Sequence, residues 1–240
     1  MNYFYLYIFL LFCFIILMSY YNTYNNVEGF TNTRMEKTYI LLGDSILKND
    51  TYVSDGKSVE NLITDINKNT HCFAEDHSKI VDIYNQLDKI PVDYNSPNTF
   101  IFLSVGGNDI LFHYIDQKND KTDSSVLMPM FSSYKKLVKS IHSRLPQAKI
   151  ILLDIYYPDN LKFKQYHDII KDWNKMIYKF ARNQKNNIYS VIHISEHLTQ
   201  NDDFSFGIEP SSNGGKKIVD LILSVSWFRF FFSWCNIIIK

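Results

Sequence analysis

Apolar residues fall along this chain in two alternating rhythms. Continuous runs rich in Ile, Leu, Val, Phe and Tyr lie at residues 39–42, 72–74, 99–105, 149–155 and 187–194 and read as strands. Between them, apolar positions recur every three or four residues. One set is Val59, Leu62, Ile63 and Ile66, and a second is Ile80, Val81, Tyr84 and Leu87. A third runs Phe131, Tyr134, Leu137, Val138, Ile141, Leu145, and the clearest runs Ile169, Ile170, Trp173, Met176, Ile177, Phe180. This spacing predicts amphipathic helices, with Asp76 or Ser78 as cap of the second and Pro146 closing the third. A last helix is predicted over residues 212–223. Apolar strands alternating with helices imply an α/β fold, a three-layer sandwich around a parallel sheet of roughly five strands. Ligands in such folds bind at the carboxyl ends of the strands.

The two ends of the chain break this rhythm. Residues 1–27 include no charge before Glu28, and residues 3–21 are apolar enough, and at about 1.5 Å per residue long enough, to cross a hydrocarbon core. Tyrosines cluster at both ends of the run, as an interfacial belt would. No basic leader or small-residue cleavage site accompanies it, so an uncleaved single-pass anchor is expected over residues 1–21. A cleaved signal peptide and secretion is the alternative. Residues 22–36 are polar and read as a tether. The side of the membrane is not legible, because Arg34 and Lys37 are offset by Glu28 and Glu36. Residues 225–240 form an aromatic, hydrophobic tail, expected to pack on the domain of residues 37–224 or to lie in an interface. A second span is the rival reading there, with Asp220 and Arg229 against it.

Composition narrows the partners more than the chemistry. Across 240 residues, 25 basic side chains balance 25 acidic ones, so no basic surface argues for nucleic acid. Cys13, Cys72 and Cys235 show neither zinc spacing nor a disulfide framework, and no metal or cofactor is expected.

Two strand ends carry the candidate chemistry. Residues 38–47 read T-Y-I-L-L-G-D-S-I-L, so the first strand runs out into Gly43-Asp44-Ser45. The third runs out into Gly106-Gly107-Asn108-Asp109. Ser commonly caps a helix with no chemistry attached. Two parallel strands with these ends can also bring a hydroxyl, an amide and backbone N–H donors to one edge. Those are a nucleophile and a pocket for an oxyanion.

G-D-S-I-L at residues 43–47 and G-G-N-D at residues 106–109 resemble the first and third blocks of the SGNH/GDSL hydrolases. The resemblance covers roughly residues 37–223. It is greatest to a subgroup with L-G-D-S-I-x-x-N-x-x-Y, S-V-G-G-N-D and I-E-P-S-x-x-G-G-x-K-I, matched here by Leu42–Ser45 with Asn49 and Tyr52, by residues 104–109, and by residues 208–211 with Gly214, Gly215, Lys217 and Ile218. The resemblance implies a flavodoxin-like hydrolase fold and an acyl-Ser45 intermediate formed from a small-molecule, glycan or lipid acyl ester. It implies oxyanion donors at the Ser45 N–H, the Asn108 side chain and the backbone of the second block, with Gly107 allowing close approach. Asp44 and Asp109 flank the site, as substrate contacts or as residues that hold their own turns.

Two positions depart from the superfamily pattern. The second block carries His77 where the family has a glycine, and His reaches the required φ less easily. Its imidazole is expected to bind substrate, serve the oxyanion or act as base, or else to open a helix and face solvent. The fifth block, usually Asp-x-x-His-Pro, reads Phe206-Gly207-Ile208-Glu209-Pro210. A carboxylate base has no tautomer to fix, so losing His and Asp together is consistent with a Ser45–Glu209 dyad. Phe206 is then expected to desolvate Glu209 and raise its pKa. His77 is the competing base, with His193 and His197 behind it. A module that keeps the fold and binds a glycan or lipid acyl group without turnover is the alternative function.

Overall fold

The structure, a computed structural model, describes residues 37–116, 126–184 and 187–235. The expected anchor and tether lie outside these residues. Five strands, β1 (Thr38–Gly43), β2 (Thr70–Cys72), β3 (Thr99–Ser104), β4 (Lys149–Leu153) and β5 (Ile188–Ile192), form one sheet in the order β2-β1-β3-β4-β5. Every pairing in it is parallel. The chain order reverses at β1, so the crevice beyond the ends of β1 and β3 is the topological switch point.

Alternation along each strand divides the core in two. Ile40, Leu42, Ile101, Leu103, Ile150 and Leu152 face one side, packed under α2 (Ile83–Asp88), α4 (Leu127–Arg144) and α5 (His167–Asn183). Tyr39, Leu41, Phe100, Phe102, Ile151 and Leu153 face the other, under α1 (Val59–Ile66) and α6 (Ser212–Cys235). This is the three-layer arrangement that the apolar strands predicted.

Three boundaries differ from the sequence reading. The second strand ends at Cys72 rather than beginning there, because the N–H groups of Phe73 and Ala74 both turn to the Leu41 carbonyl, at 2.9 and 3.1 Å. A helix not expected from the sequence, α3 (Gly107–Asp116), starts inside the G-G-N-D block, so Asn108 lies in a first helical turn rather than a free loop. The last helix does not stop near residue 223. It continues to Cys235, through the start of the expected tail. Ser226, on that continuation, is buried and meets the Tyr39 hydroxyl at 2.6 Å, while Lys37 Nζ donates to its carbonyl at 2.7 Å. The helix is thus fastened to the start of β1. Among the described residues, no helix is long and apolar enough to cross a membrane.

Neither Asp76 nor Ser78 caps α2, which has no side-chain cap. Ser78 instead donates to the Glu75 carbonyl at 2.8 Å and accepts from Gln86 Nε2 at 3.0 Å.

Candidate active site

The turn after β1 is built around a carboxylate. The N–H of Ile46 goes to Asp44 Oδ1 at 3.2 Å, and those of Leu47 and Lys48 go to the Asp44 carbonyl at 3.1 and 3.0 Å. The Ser45 N–H takes no part in these bonds and stays a candidate donor. Ser104, the last residue of β3, donates its hydroxyl to Asp44 Oδ1 at 2.5 Å and so ties the two strand ends together. Asp44 is buried, and burial, opposed by these donors, raises its pKa to about 7. It holds the turn that presents Ser45. Gly43 is required where it stands: at φ +147° a Cβ would lie 2.1 Å from the Ser104 carbonyl oxygen.

Gln86, buried on α2, locks this end of the sheet from below. Its Oε1 accepts from the Gly43 N–H at 2.9 Å and its Nε2 donates to the Gly43 carbonyl at 2.8 Å. Because Nε2 also reaches Ser78, one carboxamide fixes the first block to the second. Sequence reasoning missed Gln86, since a Gln in an otherwise amphipathic helix reads as a surface residue. Asn174 does the same for β4, accepting from the Ile155 N–H at 2.9 Å and donating to its carbonyl at 2.7 Å.

Asn108 stands in the first turn of α3. Its Nδ2 donates to the Ser78 carbonyl at 3.1 Å and carries a second hydrogen. Gly107 opens the helix, so its N–H is among those that no helical carbonyl satisfies. Asp109 turns away from the site: both its oxygens accept from the Ile80 N–H, at 3.3 and 3.0 Å. Burial raises its pKa to about 6. Asp109 is a loop-holding residue in this geometry, as Asp44 is.

Glu209 comes from the far end of the chain. A short hairpin of β6 (Phe204–Ser205) and β7 (Glu209–Pro210) carries it. Burial raises the Glu209 pKa, and a hydrogen bond from the Ser45 side chain opposes that rise. Its Oε2 is buried and meets no donor. Ser45, Asn108, Gly107 and Glu209 all line one cavity of about 40 Å³, whose apolar walls include Ile46, Ile155 and Tyr156. Those walls, not Phe206, desolvate the carboxylate. Phe206 is 79% exposed and points out of the hairpin turn, so the expected shielding of Glu209 by its ring does not occur.

Two buried networks place the hairpin. Asn49, fully buried, accepts from the Val59 N–H at 2.8 Å and donates to the Pro210 carbonyl at 2.9 Å. Asp203, also fully buried, accepts from the Thr199 and Gln200 N–H groups, each at 3.0 Å, and pairs with Lys217 at 2.7 Å. The Tyr156 hydroxyl donates to the Ile208 carbonyl at 2.6 Å. In the sequence, Asn49 and Lys217 stand as motif matches without roles. Asp203 had no signal of its own, because one Asp among several in a polar loop looks solvated.

His77 adopts φ +59°, the left-handed conformation that the glycine of the superfamily pattern would take freely. Its N–H goes to Asp76 Oδ1 at 2.8 Å rather than to the cavity. The imidazole is 68% exposed, with Nε2 3.6 Å from Asp76 Oδ2, and it does not line the cavity. It is near enough to Glu209 for its charge to lower that pKa. His193 lies apart, Nδ1 3.7 Å from the buried Asp154, along a groove between α5 and β5. His197 follows a short 3-10 turn and offers its carbonyl to Lys217 at 3.2 Å. Neither lines the Ser45 cavity. Among the described residues, no group of three His, Cys, Asp or Glu side chains is arranged to hold a metal ion.

No protein-family model matches the sequence, and no curated protein matches it. Solved structures do share its fold. One is a member of the lipolytic protein G-D-S-L family from Veillonella parvula, 18% identical with a TM-score of 0.59 over 79% of this chain and 97% of that one. A phospholipase A1 from Streptomyces albidoflavus is 13% identical with a TM-score of 0.58, covering 79% of this chain and 99% of that one. An acetyl xylan esterase from Geobacillus stearothermophilus is 12% identical with a TM-score of 0.56, covering 80% and 95%. At these identities the likeness establishes a common fold.

Proposed function

We propose that this chain is a serine hydrolase of the SGNH type, acting on acyl esters through Ser45 and Glu209. The observation that carries the reading is that Ser45 and the half-buried Glu209 carboxylate line one small cavity, where burial raises the pKa of the carboxylate. A serine hydroxyl is a weak nucleophile until a base takes its proton. An ordinary carboxylate is about two pKa units less basic than imidazole, and burial narrows that gap.

In the first half-reaction the Ser45 Oγ attacks the ester carbonyl carbon and its proton passes to Glu209. The carbonyl oxygen gains negative charge, met by the Ser45 and Gly107 N–H groups and by the second hydrogen on Asn108 Nδ2. Collapse of the tetrahedral adduct breaks the bond to the alcohol, which leaves with the proton from Glu209. Water then attacks the acyl-Ser45 ester, Glu209 takes its proton, and Ser45 departs with that proton as the free carboxylic acid forms. The small cavity favours a short acyl group, since about 40 Å³ is of the order of one or two waters. No metal or cofactor enters these steps. A membrane anchor over residues 1–21 belongs to the same reading and rests on the sequence alone. Resistance of the full chain to carbonate extraction tests it.

The chemical test is intact-mass analysis of the full chain after treatment with a fluorophosphonate. A single adduct is expected, abolished by Ser45→Ala and strongly slowed by Glu209→Gln. Full esterase activity in Glu209→Gln with loss in His77→Ala would move the base to the second block. No adduct and no turnover, with retained binding of acylated glycans or lipids, would leave a binding module.

A further inference from the structure

The Phe206 position works against its own turn. Residues 205–208 form a tight turn in which the Ile208 N–H reaches the Ser205 carbonyl at 3.2 Å. Both central residues have positive φ, +56° at Phe206 and +71° at Gly207. This is the backbone of a type I′ hairpin turn, for which Asn-Gly is the favoured pair. A bulky aromatic is among the residues least suited to its first central position. Burial offers no offset, because the ring is 79% exposed and, among the described residues, its one ring contact is an edge against Tyr52 with centroids 6.4 Å apart. A strained and solvent-facing aromatic beside a site is the kind of outlier that function accounts for.

The surroundings say what the ring would meet. Tyr52 is held from behind, its hydroxyl donating to Asp76 Oδ2 at 2.6 Å, so the Phe206 ring has a fixed neighbour on one edge. Gly207 seats the turn on Asn160, whose N–H donates to the Gly207 carbonyl at 2.9 Å. Leu161, the next residue, is 77% exposed, so a second large apolar side chain is exposed next in sequence to that contact. Pro158 and Ile208, which flank that contact in sequence, line the Ser45 cavity. That cavity accommodates little beyond a short acyl group. The alcohol half of any larger ester must therefore lie outside it, across the rim.

We propose that Phe206, with Leu161, forms a subsite for the alcohol half of the substrate, selecting esters of flat, apolar or aromatic alcohols over esters of small ones. The inference rests on the Ser45 hydrolase reading for its orientation. An aromatic face against the ring is worth a small factor, about 2- to 10-fold in affinity.

The test compares 1-naphthyl acetate with ethyl acetate. In Phe206→Asn the ratio of kcat/KM for naphthyl over ethyl ester is expected to fall about 2- to 10-fold. The same variant is expected to raise Tm by about 2–4 °C, because Asn suits the turn. Phe206→Tyr keeps the ring and should keep the ratio. An unchanged ratio in Phe206→Asn, or a lowered Tm, overturns the proposal. Binding of 1-naphthyl acetate to Ser45→Ala, with and without Phe206→Asn, decides the subsite independently of turnover. Weaker binding in the double variant supports it even where no ester is cleaved, which would count against hydrolysis alone. Equal binding overturns the subsite even where Ser45 proves catalytic.

Discussion

Asn49 Nδ2 donates to the carbonyl of Pro210 at 2.9 Å, so a buried carboxamide just after the serine turn holds the strand that carries Glu209. The two residues are 161 positions apart. The same side chain accepts from the Val59 N–H at 2.8 Å, which also pins the start of α1.

Asn49→Asp separates the two jobs. The carboxylate still accepts from Val59 but sets an acceptor against the Pro210 carbonyl. Leaving a buried group unsatisfied costs about 1–3 kcal/mol, and urea unfolding should register that loss. Esterase kcat should fall by at least about tenfold, the effect of a small misplacement of the base. Unchanged kcat with lowered stability would mean that Asn49 supports the fold without placing Glu209.

Asn108→Ala should slow turnover by about 2.7–4 kcal/mol in activation free energy, the usual loss for one oxyanion donor, with little change in KM. The amide also holds the Ser78 carbonyl, so stability should drop by about 1 kcal/mol. A wild-type rate together with that stability loss would leave Asn108 as a loop-holding residue.

Rate and stability should respond to pH in opposite directions. Glu209 must be ionised to act as base, and burial raises its pKa, so kcat/KM should climb with pH through a midpoint above the ordinary carboxylate range. Asp44 and Asp109 have native pKa values of about 7 and about 6, above the unfolded value near 3.8. The native state therefore holds protons that the unfolded chain has released. Their stabilising contribution is complete below about pH 4 and is lost as pH rises through about 6–7. Asp44→Asn removes the larger of these shifts and should flatten the upper part of the stability profile, read as Tm against pH.

Lys217→Met leaves the buried Asp203 carboxylate without its cation. Breaking such a pair costs about 3–5 kcal/mol when both partners are buried, and the partial exposure of Lys217 argues for the lower end. Adding Asp203→Asn should recover part of the loss, since the stranded charge goes with it. Additive losses in the double variant, measured by urea unfolding, would show that the two side chains do not act as a pair.

Local pattern decided most of the architecture. Apolar runs such as residues 39–42 and 99–105 suit a parallel sheet buried between helices, so the layer order followed from short-range sequence, while the strand order that puts the switch point at β1 came from the tertiary structure. Gly43, Ser45 and Asn108 were legible because their chemistry sits at strand ends, where the pattern breaks. The starts and stops of elements were less so: α3 begins within a motif that reads as a turn, and α6 runs on through residues that read as a separate tail. Long-range packing alone decided the rest. Nothing near Glu209 in sequence says what surrounds it, and its desolvation comes from Ile46, Ile155 and Tyr156 rather than from Phe206, its neighbour along the chain. Gln86, Asn174 and Asp203 look like surface polar residues until the fold turns them inward. A buried polar group gains its meaning from partners that only the tertiary structure brings within hydrogen-bond distance.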